Sequence, residues 1–249
     1  MTKPFLFIFA LIIGGITVAL GTSAISGPAT KRMDPAPAAV PVAAESKAVL
    51  YDSLRLDTLA LSRDAFSYAL QGYKTLQAAG ELANQRILTI IDFSLPSAKK
   101  RLFVVDMASG KLLFNTWVSH GRNSGTDMAT RFSNRNGSLQ SSLGFYITGD
   151  TYNGGNGYSL KLDGQEKGIN DNALLRKIVM HGSAYVNERV IAAKGYIGRS
   201  LGCPAIPAPL TKTIINTIRN GSCLFIYSPD SNYITRSKIL APVITDTLS

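Results

Sequence analysis

Between residues 51 and 82 the apolar positions recur at three- and four-residue steps, through Phe66, Ala69, Leu70, Tyr73 and Leu76. That period predicts a helix with one buried face. Ser62 is placed to cap its start and Gly80 to stop it. After Arg86 the pattern changes to short runs rich in β-branched and aromatic residues. Residues 87–93, 101–105 and 111–118 read as strands, the last two joined by the turn Asp106-Met107-Ala108-Ser109-Gly110. Residues 143–148, 158–162, 178–180 and 224–227 continue the series. Two helices interrupt it: a short one over about 171–177, and one after Pro207 that carries Leu210, Ile214, Ile215 and Ile218 and closes at Asn220-Gly221. A polar loop over 121–142 is long for a compact domain, which marks it as functional or mobile. The expectation is a mainly β (α+β) domain over 87–249, with peripheral helices and a helical extension at 47–86 packed against it.

The N-terminus bounds the compartment. Lys3 precedes an uncharged apolar run over residues 5–20, followed by Gly21, Thr22, Ser23 and Ala24. This is the layout of a secretory signal over 1–24, cleaved after Gly21 or Ala24; an uncleaved membrane tether is the alternative. No Cys lies near its end, which argues against lipoprotein processing. Residues 25–46, with Pro28, Pro35, Pro37 and Pro41, read as a linker. The remainder is expected outside the cytoplasm, in the periplasm or cell envelope of a bacterium.

Charge adds less. The 249-residue chain carries a net charge of +10, which favours an anionic neighbour. The cations are scattered (Lys99, Lys100, Arg101, Arg122, Arg131, Arg135), with no basic run interleaved with aromatics, so nucleic-acid binding is not expected. Two histidines and dispersed carboxylates show no metal-ligand spacing. No metal or cofactor is expected, and a monomer is.

Chemistry concentrates between residues 181 and 204. The chain has two His and two Cys, and one of each lies in His181-Gly182-Ser183 and Gly198-Arg199-Ser200-Leu201-Gly202-Cys203-Pro204. A thiol with a pKa of about 8.5 needs a base to become a nucleophile near neutrality, and imidazole suits that task. The glycine before Cys203 lets backbone N–H groups approach a substrate carbonyl. Three plainer readings stay open: a small buried thiol, a structural His, and a Cys203–Cys223 disulfide in an exported protein. The disulfide is disfavoured because Cys223 sits in an apolar strand and Cys203 in a loop.

These segments together, with Leu102-Phe103-Val104-Val105-Asp106, Gly110-Lys111-Leu112-Leu113 and Ser142-Leu143-Gly144-Phe145-Tyr146-Ile147, resemble the murein L,D-transpeptidase catalytic domain (YkuD-like) family, in a divergent branch. The resemblance implies a β-sandwich-like fold and action on peptidoglycan stem peptides. It implies Cys203 as nucleophile, His181 as general base, and the Gly182 carbonyl as the group orienting the imidazole. Ser200 and Gly202 would shape the loop and oxyanion hole. The expected reaction attacks the diamino acid–D-alanine bond of a tetrapeptide stem, forms a thioester and passes it to an amine of a second stem. L,D-carboxypeptidase or amidase activity and a non-catalytic wall-binding module are the alternatives. Leu201 and Ala205 depart from the usual signature, which carries a second His and an Arg or Asn there. Arg199, His120 and Arg122 are candidates for the missing polar function, and Tyr146 for a further substrate contact.

Overall fold

Ser62 opens helix α1 (Arg63–Ala78) as expected, its hydroxyl accepting from the Ala65 N–H at 3.3 Å. In the computed structural model, which describes residues 49–241, the predicted stripe on α1 is buried. Ser62 also ties the helix to the sheet, because its backbone N–H donates to the carboxylate of buried Asp92 at 3.0 Å. The apolar residues of 51–82 and of the strands form one continuous core. The expected export segment and linker lie outside the described residues, among which no helix is long and apolar enough to cross a membrane.

Eight strands form one sheet: β1 (Ile87–Asp92), β2 (Leu102–Asp106), β3 (Lys111–Thr116), β4 (Gly144–Gly154), β5 (Gly157–Gly164), β6 (Val179–Ser183), β7 (Ala205–Pro207) and β8 (Cys223–Tyr227). Their order is β3-β2-β1-β8-β4-β5-β6-β7. The β1–β8 and β6–β7 pairs are parallel, the others antiparallel. The mainly β class stands, and its sandwich character comes from closure of this single sheet. Beyond β3 the chain turns to the opposite edge, where the Ser119 N–H donates to the Ala205 carbonyl at 2.8 Å. Gly121 and Ser200 then bridge in parallel.

Three helices follow α1: α2 (Glu188–Lys194), α3 (Thr211–Ile218) and α4 (Ser231–Arg236). Helix α3, expected from its isoleucines, buries Ile214, Ile215 and Ile218. It touches β1 from one part of the sheet and β5 and β6 from another. Such contacts require a sheet that wraps round, in keeping with the edge closure.

Three local expectations need correction. Residues 171–177 form a run of turns and not a helix, since Lys177 adopts a φ of 55° and no helical ladder continues past such a residue. β4 continues past residue 148 to Gly154, across a register shift between Thr148 and Thr151. Its outer half is solvated, so no apolar alternation announces it. Strand β7 and helices α2 and α4 were not anticipated; β7 has three residues, and α2 buries none.

Gly72 shows how closely α1 is seated. A Cβ there would lie 2.0 Å from Phe145 Cζ, in a ring stacked on Phe225 at 4.2 Å between centroids. Alanine gains about 1 kcal/mol over glycine in a helix interior, but overpacking a tight core costs about 1–3 kcal/mol. Gly72→Ala is therefore expected to lower stability by about 1–2 kcal/mol in denaturant titrations; an unchanged or raised midpoint would show that the Phe145–Phe225 stack yields freely.

Candidate active site

The β6–β7 pair sets the site. Its register places His181 opposite Ala205 and Gly182 opposite Ile206. Cys203 therefore lies two residues before the partner of His181, on a chain that is in a loop until Pro204. Close packing holds this arrangement. A Cβ on Gly182 would lie 2.1 Å from Thr211 Oγ1 of α3. Gly202 has a φ of 132°, and a Cβ there would meet the Gln140 carbonyl at 2.9 Å. Both positions exclude a side chain, Gly202 by its backbone as well.

His181 Nδ1 lies 3.0 Å from the Gly182 carbonyl oxygen. A carbonyl only accepts, so Nδ1 carries the proton and Nε2 holds the free lone pair. The thiol is bonded to backbone groups instead. Its S–H donates to the Lys177 carbonyl at 3.6 Å, and the Val179 N–H donates to the sulfur at 3.5 Å. Among the described residues no hydrogen bond joins thiol to imidazole. Burial pushes the Cys203 thiol above its ordinary value, against the pull of the Val179 N–H and the Arg176 charge. Cys223, fully buried in β8, is a separate free thiol, so no disulfide joins the two.

The loop that carries Cys203 is braced internally. The Ser200 hydroxyl donates to the Cys203 carbonyl at 2.6 Å and accepts from the Gly202 N–H at 3.1 Å. That bond occupies the Gly202 N–H, whereas the Cys203 N–H is bonded to no other residue among the described ones and faces only the sulfur of its own side chain. The Cys203 N–H is the donor left for a developing oxyanion. Ser141, from the long polar loop, accepts from the Gly121 N–H and donates to the Gly202 carbonyl, at 3.0 and 3.1 Å.

His181, Gly182, Ser200, Cys203 and Arg199 line one cleft of about 420 Å³. His120, Arg122 and Tyr146 do not. His120 is wholly buried, with Nδ1 2.7 Å from Arg101 Nη2 and Nε2 3.3 Å from the Gly125 carbonyl. Tyr146 is also wholly buried and donates to the Ser142 carbonyl. Arg122 is exposed, and its backbone N–H holds the Ser200 carbonyl. The cleft gains residues that the sequence reading passed over: Arg176, Lys177, Asn156 at the tip of the β4–β5 hairpin, and Tyr185. The basic pair directly before the 178–180 run was a usable signal for the first two. Asn156 had none, because only the hairpin's length carries it there. No carboxylate lines the cleft, and no group of metal-ligating side chains forms among the described residues.

The family described as L,D-transpeptidase catalytic domain matches residues 58–227. The chain belongs to that family. The matched stretch takes in α1 as well as the strands. No curated protein matches. Solved structures with similar folds include the L,D-transpeptidase of Mycobacterium smegmatis, at 10% identity and TM-score 0.35, over 57% of this chain and 59% of that one. A variant of the helical cell shape determining protein Pgp2 of Campylobacter jejuni aligns at 15% and 0.37, over 66% and 56%. An L,D-transpeptidase from Xylanimonas cellulosilytica aligns at 15% and 0.33, over 72% and 93%. This L,D-transpeptidase domain thus spans less than two thirds of the mycobacterial and Campylobacter chains. Its two departures from the signature have different fates: Leu201 is 62% exposed on the cleft rim, and Ala205 is fully buried in β7.

Burial and the neighbouring Arg101 charge depress His120 to about 4, from 6.5. A histidine whose folded pKa lies below its unfolded one keeps its full stabilisation above about 6.5 and loses it as pH falls toward about 4. The loss amounts to about 3 kcal/mol. Denaturant midpoints of the parent are expected to fall steeply from pH 7 to 4.5, and those of His120→Gln to fall less; parallel curves would refute the assignment.

Proposed function

We propose that this domain is a peptidoglycan L,D-transpeptidase working through a Cys203 thioester. The observation that carries the reading is the shared cleft, lined by the Cys203 thiol and by a His181 with Nε2 free as a base, with a Cys203 N–H bonded to no other residue, in a member of this family. The thiol leaves the Lys177 carbonyl by rotation about its Cα–Cβ bond and gives its proton to His181 Nε2. The sulfur attacks the carbonyl of the diamino acid of a tetrapeptide stem, and the Cys203 N–H holds the oxyanion. Collapse breaks the C–N bond, and His181 returns the proton to the departing D-alanine amine. An amine of a second stem then attacks the thioester, gives its proton to His181, and the thiol is restored. Water in place of that amine yields carboxypeptidase activity.

Stem peptides lie outside the cytoplasm, which agrees with the export reading of residues 1–24. The cations Arg176, Lys177 and Arg199 without a lining carboxylate favour a donor that carries carboxylates of its own. The Ser200 brace supports the loop. The Gly182 carbonyl fixes the tautomer of His181, the part a carboxylate plays in other triads.

Purified protein incubated with tetrapeptide muropeptides is expected to release D-alanine and form dimers, detected by mass spectrometry. Cys203→Ala should give none. His181→Gln should lose about 10²- to 10⁴-fold, the usual worth of a general base. Parent protein that leaves the muropeptides unchanged, or Cys203→Ala that matches the parent, would sink the reading.

A further inference from the structure

The head group of Arg176 is the most firmly held of the cleft's cations. Its Nη1 donates to the Ser133 carbonyl at 2.7 Å and to the Ser142 hydroxyl. Its Nη2 donates to the Gln140 carbonyl at 2.6 Å and the Ser138 hydroxyl at 3.2 Å. All four acceptors are neutral. Among the described residues ion pairs form at Arg63–Asp52 and Arg86–Asp106, both away from this cleft. A half-buried guanidinium with satisfied hydrogen bonds and no counter-ion is costly unless an anion develops beside it.

The cleft lining offers two groups that can become anionic, the Cys203 thiol and the Tyr185 phenol, and the Arg176 charge favours ionisation of the thiol. Arg176 Nη2 is 3.5 Å from where a Cβ on Gly202 would stand, one residue from Cys203, and both side chains line the cleft. We propose that Arg176 is the positioning residue of the thiol: it clamps loop 133–142 against Gly202 and supplies the counter-charge for the Cys203 thiolate. It would thereby stand in for a cation that Ala205, buried in β7, does not provide. The assignment deepens the transferase reading and rests on it only for its catalytic consequence. The other titratable groups lining the cleft around Cys203 are His181 from β6, Lys177 from the preceding turn, Arg199 from the loop before Cys203, and the Tyr185 hydroxyl. Lys177 and Arg199 are exposed, so water and salt weaken their pull on the sulfur.

The test reads the thiol without needing turnover. Iodoacetamide alkylation of Cys203 is followed against pH by peptide mass mapping; Cys223, fully buried, does not compete in the folded protein. Arg176→Gln is expected to alkylate about 3- to 10-fold more slowly below the midpoint of the profile, a shift of about 0.5–1 pH unit. Arg176→Lys keeps the charge and should stay within about twofold of the parent. A merely structural role predicts lowered melting temperatures for both variants with alkylation profiles that overlay the parent, and that result overturns the proposal. If Arg176→Gln does not fold, Arg176→Met, which keeps the aliphatic stem, is read in its place. Should neither fold, salt decides on the parent: a half-buried counter-charge predicts less than about twofold slowing between low and high salt. A larger slowing assigns the effect to Lys177 and Arg199 and overturns the proposal. Muropeptide turnover run beside these profiles separates the two inferences. A shifted profile without parent turnover retains Arg176 and removes the transferase reading; turnover with unshifted profiles does the reverse.

Discussion

Ser119 donating to the Ala205 carbonyl is the contact on which the site depends. β7 has three residues and cannot hold itself; β6 bonds one of its edges and the chain beyond β3 bonds the other. Isolated edge strands of that length are marginal. The segment beyond β3 covers the outer edge of β7, which removes a template for aggregation. It also fixes the distance along the chain from Ala205 to Cys203 as the link between strand geometry and the cleft's thiol. Loosening the Ser119–Ala205 bond would therefore displace the thiol relative to His181 before it threatened the core, which sits on the β1, β8 and α1 side.

Polar side chains do in this loop region what apolar packing does in the core. Ser124, Ser141 and Ser200 are all buried, and their hydroxyls each bond a backbone group of a neighbouring segment. A buried hydroxyl without a partner costs roughly 1–3 kcal/mol, so such a network specifies one loop arrangement and penalises alternatives. Fully buried Arg101 extends the same logic: it donates to the Val118 and Leu95 carbonyls and to His120, and lies over the Phe93 ring. His120 is thereby explained as an acceptor for a buried cation, a role set by contacts across the fold.

How much of this was legible follows the strength of each pattern. Helices α1 and α3 and the apolar strands could be read because burial on one face imposes a period. β7 could not, since three residues hold no period, and the outer half of β4 is solvated on both faces. That His181 and Cys203 line one cleft was legible because the residue types are rare in this chain and a family motif surrounds them. The rest of the cleft was not. Arg176 sat in a stretch that read as a surface helix, and its turn depends on Lys177 at φ 55°, which no residue identity announces. His120 and Tyr146 looked like site residues because they occur in polar or motif-bearing segments; only the three-dimensional packing puts them out of solvent's reach.

The resting thiol bears on how the chemistry starts. A thiol that desolvation raises above its ordinary pKa and that is bonded to the Lys177 carbonyl favours its neutral form. This differs from a preformed thiolate–imidazolium pair, in which a depressed pKa makes the nucleophile available in advance. Each pKa unit of elevation costs about 1.4 kcal/mol if ionisation must come first. A base positioned to accept the proton during attack contributes about 10²- to 10⁴-fold, or about 3–5 kcal/mol. Under the proposed transferase reading, transfer of the proton in step with attack avoids the cost of a free thiolate. The two bonds that park the sulfur involve a weak donor and a weak acceptor, so leaving them is cheap compared with either quantity. Under the same reading, a substrate that displaces the thiol from Lys177 toward His181 would find a nucleophile made only when it is needed.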